Sequence, residues 1–144
     1  MWRWKSLLLA MCLALLLPAA LAQSDQSAAE LAAQSFLRRL DNGDLTSLYR
    51  DEMAPRAKSL SPESQFLQGV GMARIQTGGP ALIRKLVGSQ SLDQIQGIPE
   101  KGTFYYIRHH TRYPTGPAFQ DIYLEKVGGS WKVIGFWNFP APPI

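Results

Sequence analysis

Residues 119–139 read FQDIYLEKVGGSWKVIGFWNF, two runs rich in aromatic and β-branched residues that meet at Gly128-Gly129. Such a glycine pair favours a two-residue hairpin turn. In the resulting register Glu125 lies opposite Lys132, which pairs opposite charges, and Leu124 lies opposite Val133, which pairs apolar side chains on the other face. The stretch therefore predicts an antiparallel hairpin whose register two separate matches support.

The same register, continued to the end of both strands, predicts the two faces of the hairpin. It places Ile122 opposite Gly135 and puts Leu124, Val133 and Trp137 on the face that helices cover. The other face is then more aromatic than a solvated sheet face, and such a face usually contacts something. The predicted ligand or partner face consists of Arg108, Phe119, Tyr123, Ile134 and Phe136.

The rest of the chain predicts helices first and strands afterwards. Ser27 and Glu30 have the spacing of a capping box at a helix start, and Asn42-Gly43 is a stop signal. A second helix is expected from Asp44 to Pro55. A third is expected from Ser61-Pro62 to Gly78, in which Gly69 and Gly71 predict close packing against another element.

Two further strands are expected, over residues 85–92 and 103–113, because β-branched and aromatic residues are concentrated there. The predicted fold class is therefore α+β, with N-terminal helices packed on one face of a curved antiparallel sheet. Residues 23–139 are long enough for a single domain with one hydrophobic core. Residues 140–144 are a proline-rich tail that we expect to be flexible.

The first 22 residues predict a cleaved secretory signal peptide. Two basic residues precede an unbroken apolar run over residues 7–17, Pro18 ends that run, and Ala20-Leu21-Ala22 has small residues where cleavage occurs. The run is too short for a membrane-spanning helix, which needs about twenty residues. We expect cleavage between Ala22 and Gln23, a periplasmic or extracellular location, and no membrane insertion afterwards.

Composition excludes several classes of function. Cys12 is the only cysteine and lies in the predicted signal peptide, so the mature chain is expected to have no disulfide, thiol chemistry or cysteine-liganded metal. Met11 is not the small residue that a lipoprotein signal places before its cysteine. When Arg3 and Lys5 leave with the signal peptide, 13 of the 15 basic residues remain against 11 acidic ones, a net charge of +2. That charge is too small for a nucleic-acid-binding face.

His109 and His110 are the chain's two histidines. As neighbours on a strand they point to opposite faces and cannot chelate one ion, so we expect no metal site and no cofactor. With residues 114–117 as a four-residue loop, His110 lies opposite Asp121, and such a pair could act as a general base. A histidine beside a carboxylate is also common on sheet surfaces. His110 and Asp121 are therefore weak catalytic candidates, and the leading expectation is that the protein is not an enzyme.

Four short motifs occur in order across residues 28–138: LDNG at 40–43, the segment from Arg74 to Gly78, GTFY at 102–105 and GSWKVIGF at 129–136. In these motifs the chain resembles DUF4019, a proteobacterial family of small exported proteins known as a domain of unknown function. One departure is Leu48-Tyr49, where a tryptophan is expected. The resemblance implies a cystatin-like cone fold of the nuclear transport factor 2 type, and it implies no activity and no catalytic residues.

Three hypotheses about function follow. The first is an exported, non-catalytic binding or assembly protein, either homodimeric through the outer sheet face or docking a periplasmic protein there. The second is a carrier that holds an apolar or amphipathic small molecule inside the cone, lined by aromatic side chains such as Tyr105 and Trp131. The third is an enzyme that uses His110 and Asp121 as its general base.

Overall fold

The computed structural model describes residues 3–143, with side chains from Gln23 onward. Met1, Trp2, Ile144 and the side chains of the predicted signal peptide lie outside the described residues. Among those described, no helix combines the length and the apolar character needed to cross a membrane. The elements are α1 (Arg3–Asn42), α2 (Leu45–Glu52), α3 (Pro55–Leu60), α4 (Glu63–Thr77), β1 (Ile83–Leu92), β2 (Phe104–Tyr113), β3 (Gly116–Val127) and β4 (Ser130–Pro140).

The four strands form one curved, open antiparallel sheet in the order β1-β2-β3-β4, so each strand pairs with its neighbour in sequence. The helices lie on one face, which confirms the predicted α+β class. The predicted strands over 85–92 and 103–113 are confirmed as β1 and β2. Pro140 is still paired, opposite Ala118, at the start of the segment that was expected to be a flexible tail.

The first helix is longer than predicted. α1 is continuous from Arg3 to Asn42, through Pro18 and through Ser27, so Ser27 is not a helix start. Alanine and leucine dominate residues 7–22, and their high helix propensity favours this continuation. The carboxylate of Glu30 accepts hydrogen bonds from the Gln26 amide and the Ser89 hydroxyl, so it does not close a capping box.

The region between α1 and the sheet also differs from its prediction in two details. Pro55 begins the short helix α3, since a proline at a first helical position sacrifices no hydrogen bond. Apart from the local backbone of α4 and the adjacent residues, Gly69 and Gly71 have no atom within 4 Å of where a Cβ would lie. The expected close packing at these two glycines is therefore wrong, and their positions are open.

The core lies between the helices and the sheet and is built on aromatic contacts. The ring of Phe136 in β4 packs edge-on against Phe36 of α1 at 5.1 Å and against Phe66 of α4 at 6.3 Å between centroids. Tyr49 of α2 lies 5.3 Å from Phe66. One strand residue thus contacts two helices. The side chains that are almost fully excluded from solvent around it are Phe36, Leu48, Ile107, Ile122, Leu124 and Val133.

The hairpin at Gly128-Gly129 has the predicted register over its first half. Val127 lies opposite Ser130, Glu125 opposite Lys132 and Leu124 opposite Val133. Both glycines have positive φ, 55° and 81°, as this turn requires. The charge match and the apolar match therefore predicted the correct pairing near the turn.

A β-bulge at Ile134 changes the register beyond that point. Tyr123 lies opposite Gly135, and Ile122 lies opposite Phe136 instead of the predicted Gly135. A slip of one residue moves every following side chain to the other face of the sheet. The prediction for the second half of the hairpin is therefore wrong by one position on β4.

Three side chains consequently lie on the opposite face from the one predicted. Ile134 and Phe136, which were expected on the outer face, pack against the helix-side core. Trp137, which was expected in the core, is 51% exposed on the outer face. The physical reason is the extra residue in β4, which turns Phe136 toward the helices and Trp137 away from them.

A polar network closes one end of the helix-side face. The guanidinium of Arg84 binds both oxygens of Asp41, at the end of α1, and donates through Nε to Oε1 of Gln120 at 2.9 Å. Gln120 is 1% exposed and donates to the Tyr113 hydroxyl at 3.0 Å. A buried amide with both of its ends bonded is compatible with the core. This network ties β1, β2 and β3 to α1.

His109 lies on the same face and gives a prediction about pH. Burial, and secondly the positive charge of Arg84, hold the pKa of His109 below its ordinary value of 6.5. The folded protein therefore binds this proton less readily than the unfolded chain, so the stability is intact above about pH 6.5 and declines as the pH falls below it. We expect His109→Gln to flatten this decline.

Denaturant unfolding of the wild type and His109→Gln between about pH 7 and pH 5 measures the effect. His110→Gln gives the contribution of the other histidine to the same pH dependence. Equal loss of stability in the wild type and His109→Gln over this range would contradict the prediction.

Candidate functional site

The sheet face opposite the helices, called here the outer face, consists of five rows of side chains that run across the strands. The rows follow from the pairing of β1 with β2, β2 with β3, and β3 with β4. They are Ile83-Arg112-Pro117, Lys85-His110-Phe119-Phe139, Gly88-Arg108-Asp121-Trp137, Gln90-Tyr106-Tyr123-Gly135 and Leu92-Phe104-Glu125-Lys132. Three of the five residues predicted for this face, Arg108, Phe119 and Tyr123, are therefore together on it.

The centre of the outer face is an ion pair between Arg108 and Asp121. Nε and Nη2 of Arg108 donate to the two carboxylate oxygens at 2.7 and 2.8 Å. The side chain of Asp121 is only 5% exposed, whereas that of Arg108 is 37% exposed. The hydrogen bonds to Asp121 raise the pKa of Arg108. The pair is charge-assisted and bidentate, so it fixes the plane of the guanidinium.

Aromatic rings surround this guanidinium. Its carbon lies 5.0 Å from the centre of the Phe119 ring and 5.9 Å from that of Tyr106. Tyr106 in turn packs 5.0 Å from Tyr123. Burial, and secondly the charge of Asp121, raise the pKa of Tyr106 to about 12, so its hydroxyl keeps its proton. The arrangement presents one cation in an aromatic frame, a geometry that favours recognition through stacking and hydrogen bonding.

His110 and Asp121 do not form the predicted pair. The turn between β2 and β3 is Pro114-Thr115, with Tyr113 opposite Gly116, so the predicted four-residue loop is wrong and the partners shift by two residues. His110 lies opposite Phe119, packs 5.2 Å from its ring and contacts the carbonyl oxygen of Pro142 through Nε2 at 2.9 Å. The carboxylate of Asp121 is bound to Arg108 instead. The two histidines do lie on opposite faces, as predicted.

A groove runs between the outer face and the loop after β1. It has a volume of about 510 Å³ and includes Gln94, Ile95 and Gln96 from the loop. On the sheet side Tyr123, Trp137 and Phe139 line it, and the last two are 51% and 46% exposed. The same loop covers the end of the face at Phe104, which is fully buried with Gly102 against its ring.

Trp137, Phe139 and Tyr106 are parts of this site that the sequence prediction missed. The signal that could have located them is Gly135, because an isolated glycine within a strand suggests a bulge or a close approach. A Cβ on Gly135 would lie 2.5 Å from the ring of Trp137. The tryptophan ring therefore packs over the glycine, and this contact requires that the residue has no side chain.

On the helix side, a cavity of about 600 Å³ lies beside Tyr105 and Trp131 and is bordered by α1, and a cavity of about 390 Å³ lies between α4 and β4. A cavity of about 30 Å³ lies between α4 and the sheet, lined among others by Arg74, Tyr113, Gln120 and Asn138. That volume suits about one water molecule. Among the described residues, no group of three or more His, Cys, Asp and Glu side chains is arranged to hold a metal ion.

The ion pair predicts an asymmetry between two substitutions. Arg108→Leu leaves a buried carboxylate without a partner, which we expect to lower the free energy of unfolding by about 3 kcal/mol. Asp121→Asn leaves an arginine that still reaches water, and we expect a cost of about 1 kcal/mol. Chemical denaturation at neutral pH measures both values.

Arg112→Leu is the matched control, because Arg112 is exposed on the same strand and the same face. Its cost should stay within about 0.5 kcal/mol. A larger loss for Asp121→Asn than for Arg108→Leu would show that burial of the carboxylate is not the dominant effect.

Comparison with models of known protein families gives a match. The model of the family described as "Protein of unknown function (DUF4019)" matches residues 32–136, which include the end of α1, all of α2 to α4 and the strands as far as Phe136. No curated protein and no solved structure matches the chain, so the cone type implied by the resemblance stays a prediction. The family match covers more than half of the sequence and extends across both layers of the fold. The chain therefore belongs to the DUF4019 family.

Proposed function

We propose that this protein is exported and acts as a non-catalytic binding protein that docks an acidic partner protein on the outer face of its sheet. The observation that carries the proposal is the exposure of Trp137 and Phe139 beside the groove, next to a face whose unpaired charges are basic. Aromatic and arginine side chains are the residues that contribute most to protein interfaces. The outer face concentrates them around Arg108.

The charge of the outer face supports the choice of an acidic partner. Its two carboxylates are already neutralised, since Asp121 binds Arg108 and Glu125 binds Arg56 at 3.1 Å. Lys85 and Arg112 are exposed on this face and make no ion pair with another described residue. The surplus is therefore positive. A second copy of the same face would bring cations against cations, which disfavours an outer-face homodimer.

The other two hypotheses have less support. The carrier hypothesis needs a cavity that shields an apolar ligand. The cavity between α4 and the sheet is only about 30 Å³, and the one of about 600 Å³ beside Tyr105 and Trp131 is otherwise bordered mostly by polar side chains such as Asp25, which suits an apolar ligand poorly. The enzyme hypothesis used His110 with Asp121, and these side chains have other partners. A binding role needs neither a cavity nor a general base.

Export gives the first test. When the full chain is expressed in a Gram-negative host, we expect the intact mass of the periplasmic protein to correspond to residues 23–144. Signal peptidases require small residues at the cleavage site, so Ala22→Arg should retain the full-length chain. Ser27→Arg, at an exposed position beyond the site, is the control and should still be cleaved. Full-length wild type in the periplasm would contradict the prediction.

Photocrosslinking tests the docking face. A benzophenone amino acid at Phe139, in the native host, should give a discrete crosslinked product with an acidic protein. The same amino acid at Ile75, which is 77% exposed on α4, should not. Once that protein is purified, calorimetry should show that the double variant Lys85→Glu/Arg112→Glu weakens binding at least about tenfold, and that salt weakens wild-type binding.

Two outcomes would count against this proposal. A product of twice the chain's own mass at position 139 would mean that a second copy occupies the outer face. The second outcome is a crosslinked partner that is a different protein and binds Lys85→Glu/Arg112→Glu as tightly as the wild type. That result would mean that the basic residues do not select the partner.

A further inference from the structure

The two edges of the sheet differ. At β4 the edge is blocked at one residue: the backbone amide of Ala54 donates to the carbonyl of Val133 at 2.7 Å, and Met53 forms a parallel bridge with the same residue. At β1 the strand pairs with β2 on one side, and among the described residues no segment pairs with its other side. A ten-residue strand therefore has a free edge.

The free edge is also apolar. Leu82, Ile83, Leu86 and Val87 are 59%, 49%, 49% and 56% exposed, and they lie within six consecutive residues. α1 reaches β1 near its two ends, at Arg84 and at Ser89, and leaves Leu86 between these points uncovered. Long apolar edge strands are sites of pairing with another chain, and proteins normally protect them.

We propose that the β1 edge is an interface between two copies of this protein, in which the two β1 strands pair antiparallel about a two-fold axis near Val87-Gly88. The sheets of the two copies would then be continuous across the axis. Val87 of each copy would then lie over Gly88 of the other, and Ile83 would lie opposite Leu92. This interface is distinct from the outer face, so each of the two proposals can fail alone.

The charges of β1 select this arrangement. Both cations, Arg84 and Lys85, lie in the first half of the strand, and residues 88–92 carry no charge. Antiparallel pairing about Val87-Gly88 places Arg84 opposite Ser91 and Lys85 opposite Gln90 of the second copy. Arg84 is neutralised by Asp41, but parallel pairing would place Lys85 of one copy beside Lys85 of the other, which is destabilising. The strand is therefore complementary to itself in one direction only.

The bulge in β1 is compatible with the two-fold axis. Val87 is an extra residue between Leu86 and Gly88, whose partners in β2 are the consecutive residues His109 and Arg108. With the axis at Val87-Gly88, each copy brings the same extra residue to the same place. The two strands thus keep a common register on both sides of the bulge.

Light scattering on the purified protein tests the interface. We expect a mass of twice the chain for the wild type and for Ile75→Asp, and a mass of one chain for Val87→Asp. Both substituted positions are exposed, so circular dichroism should show that both variants are folded. Of the two substitutions, only Val87→Asp should halve the mass measured by light scattering.

A crosslink gives a second, independent readout. In a Cys12→Ala background, Val87→Cys should be joined to its own copy by a short bismaleimide, whereas Ile75→Cys should not. A wild type that is monomeric across a wide concentration range would overturn the proposal. So would a dimer that persists in Val87→Asp and dissociates in Phe139→Asp, since that result assigns the dimer to the outer face and also contradicts the acidic partner.

Discussion

The extra residue Ile134 in the last strand is the constraint on which both faces of the sheet depend. On one side of the bulge Val133 points to the helices, and on the other side Phe136 does. Without the extra residue, side chains would alternate regularly between the two faces along β4. Trp137 would then point into the core, and Phe136 would be exposed. The extra residue in β4 therefore allows Phe136 to contact α1 and α4. It also places Trp137 on the outer face.

The limits of sequence reasoning follow from the same residue. Near Gly128-Gly129 the pairing of Glu125 with Lys132 could be predicted, because turn geometry, charge and hydrophobicity agree there. Beyond Tyr123 the prediction failed, because Ile134 and Phe136 are both apolar and either could serve as a core residue. The choice was made by tertiary packing against Phe36 and Phe66, which no local pattern contains. Gly135 was the one local signal of an irregular strand.

The second hairpin shows why a fold is easier to predict than a site. The turn at Pro114-Thr115 is two residues shorter than expected, which preserves every side chain's face and changes every side chain's partner. The α+β class and the placement of Arg108, Phe119 and Tyr123 survive such an error. A pair such as His110 with Asp121 does not, since a chemical function depends on which atoms are within about 3 Å of each other.

The contact of Ala54 with Val133 has a consequence for how many copies can assemble. A sheet with two free edges can accept a new strand at each end, and heterologous addition of this kind continues without limit as a fibre. In this chain the junction between α2 and α3 obstructs one edge at Val133. If β1 pairs with its own copy, both ends of the joined sheet carry that obstruction. Strand addition is then hindered at Val133 of each copy, and the apolar edge that would favour aggregation is buried between the two chains.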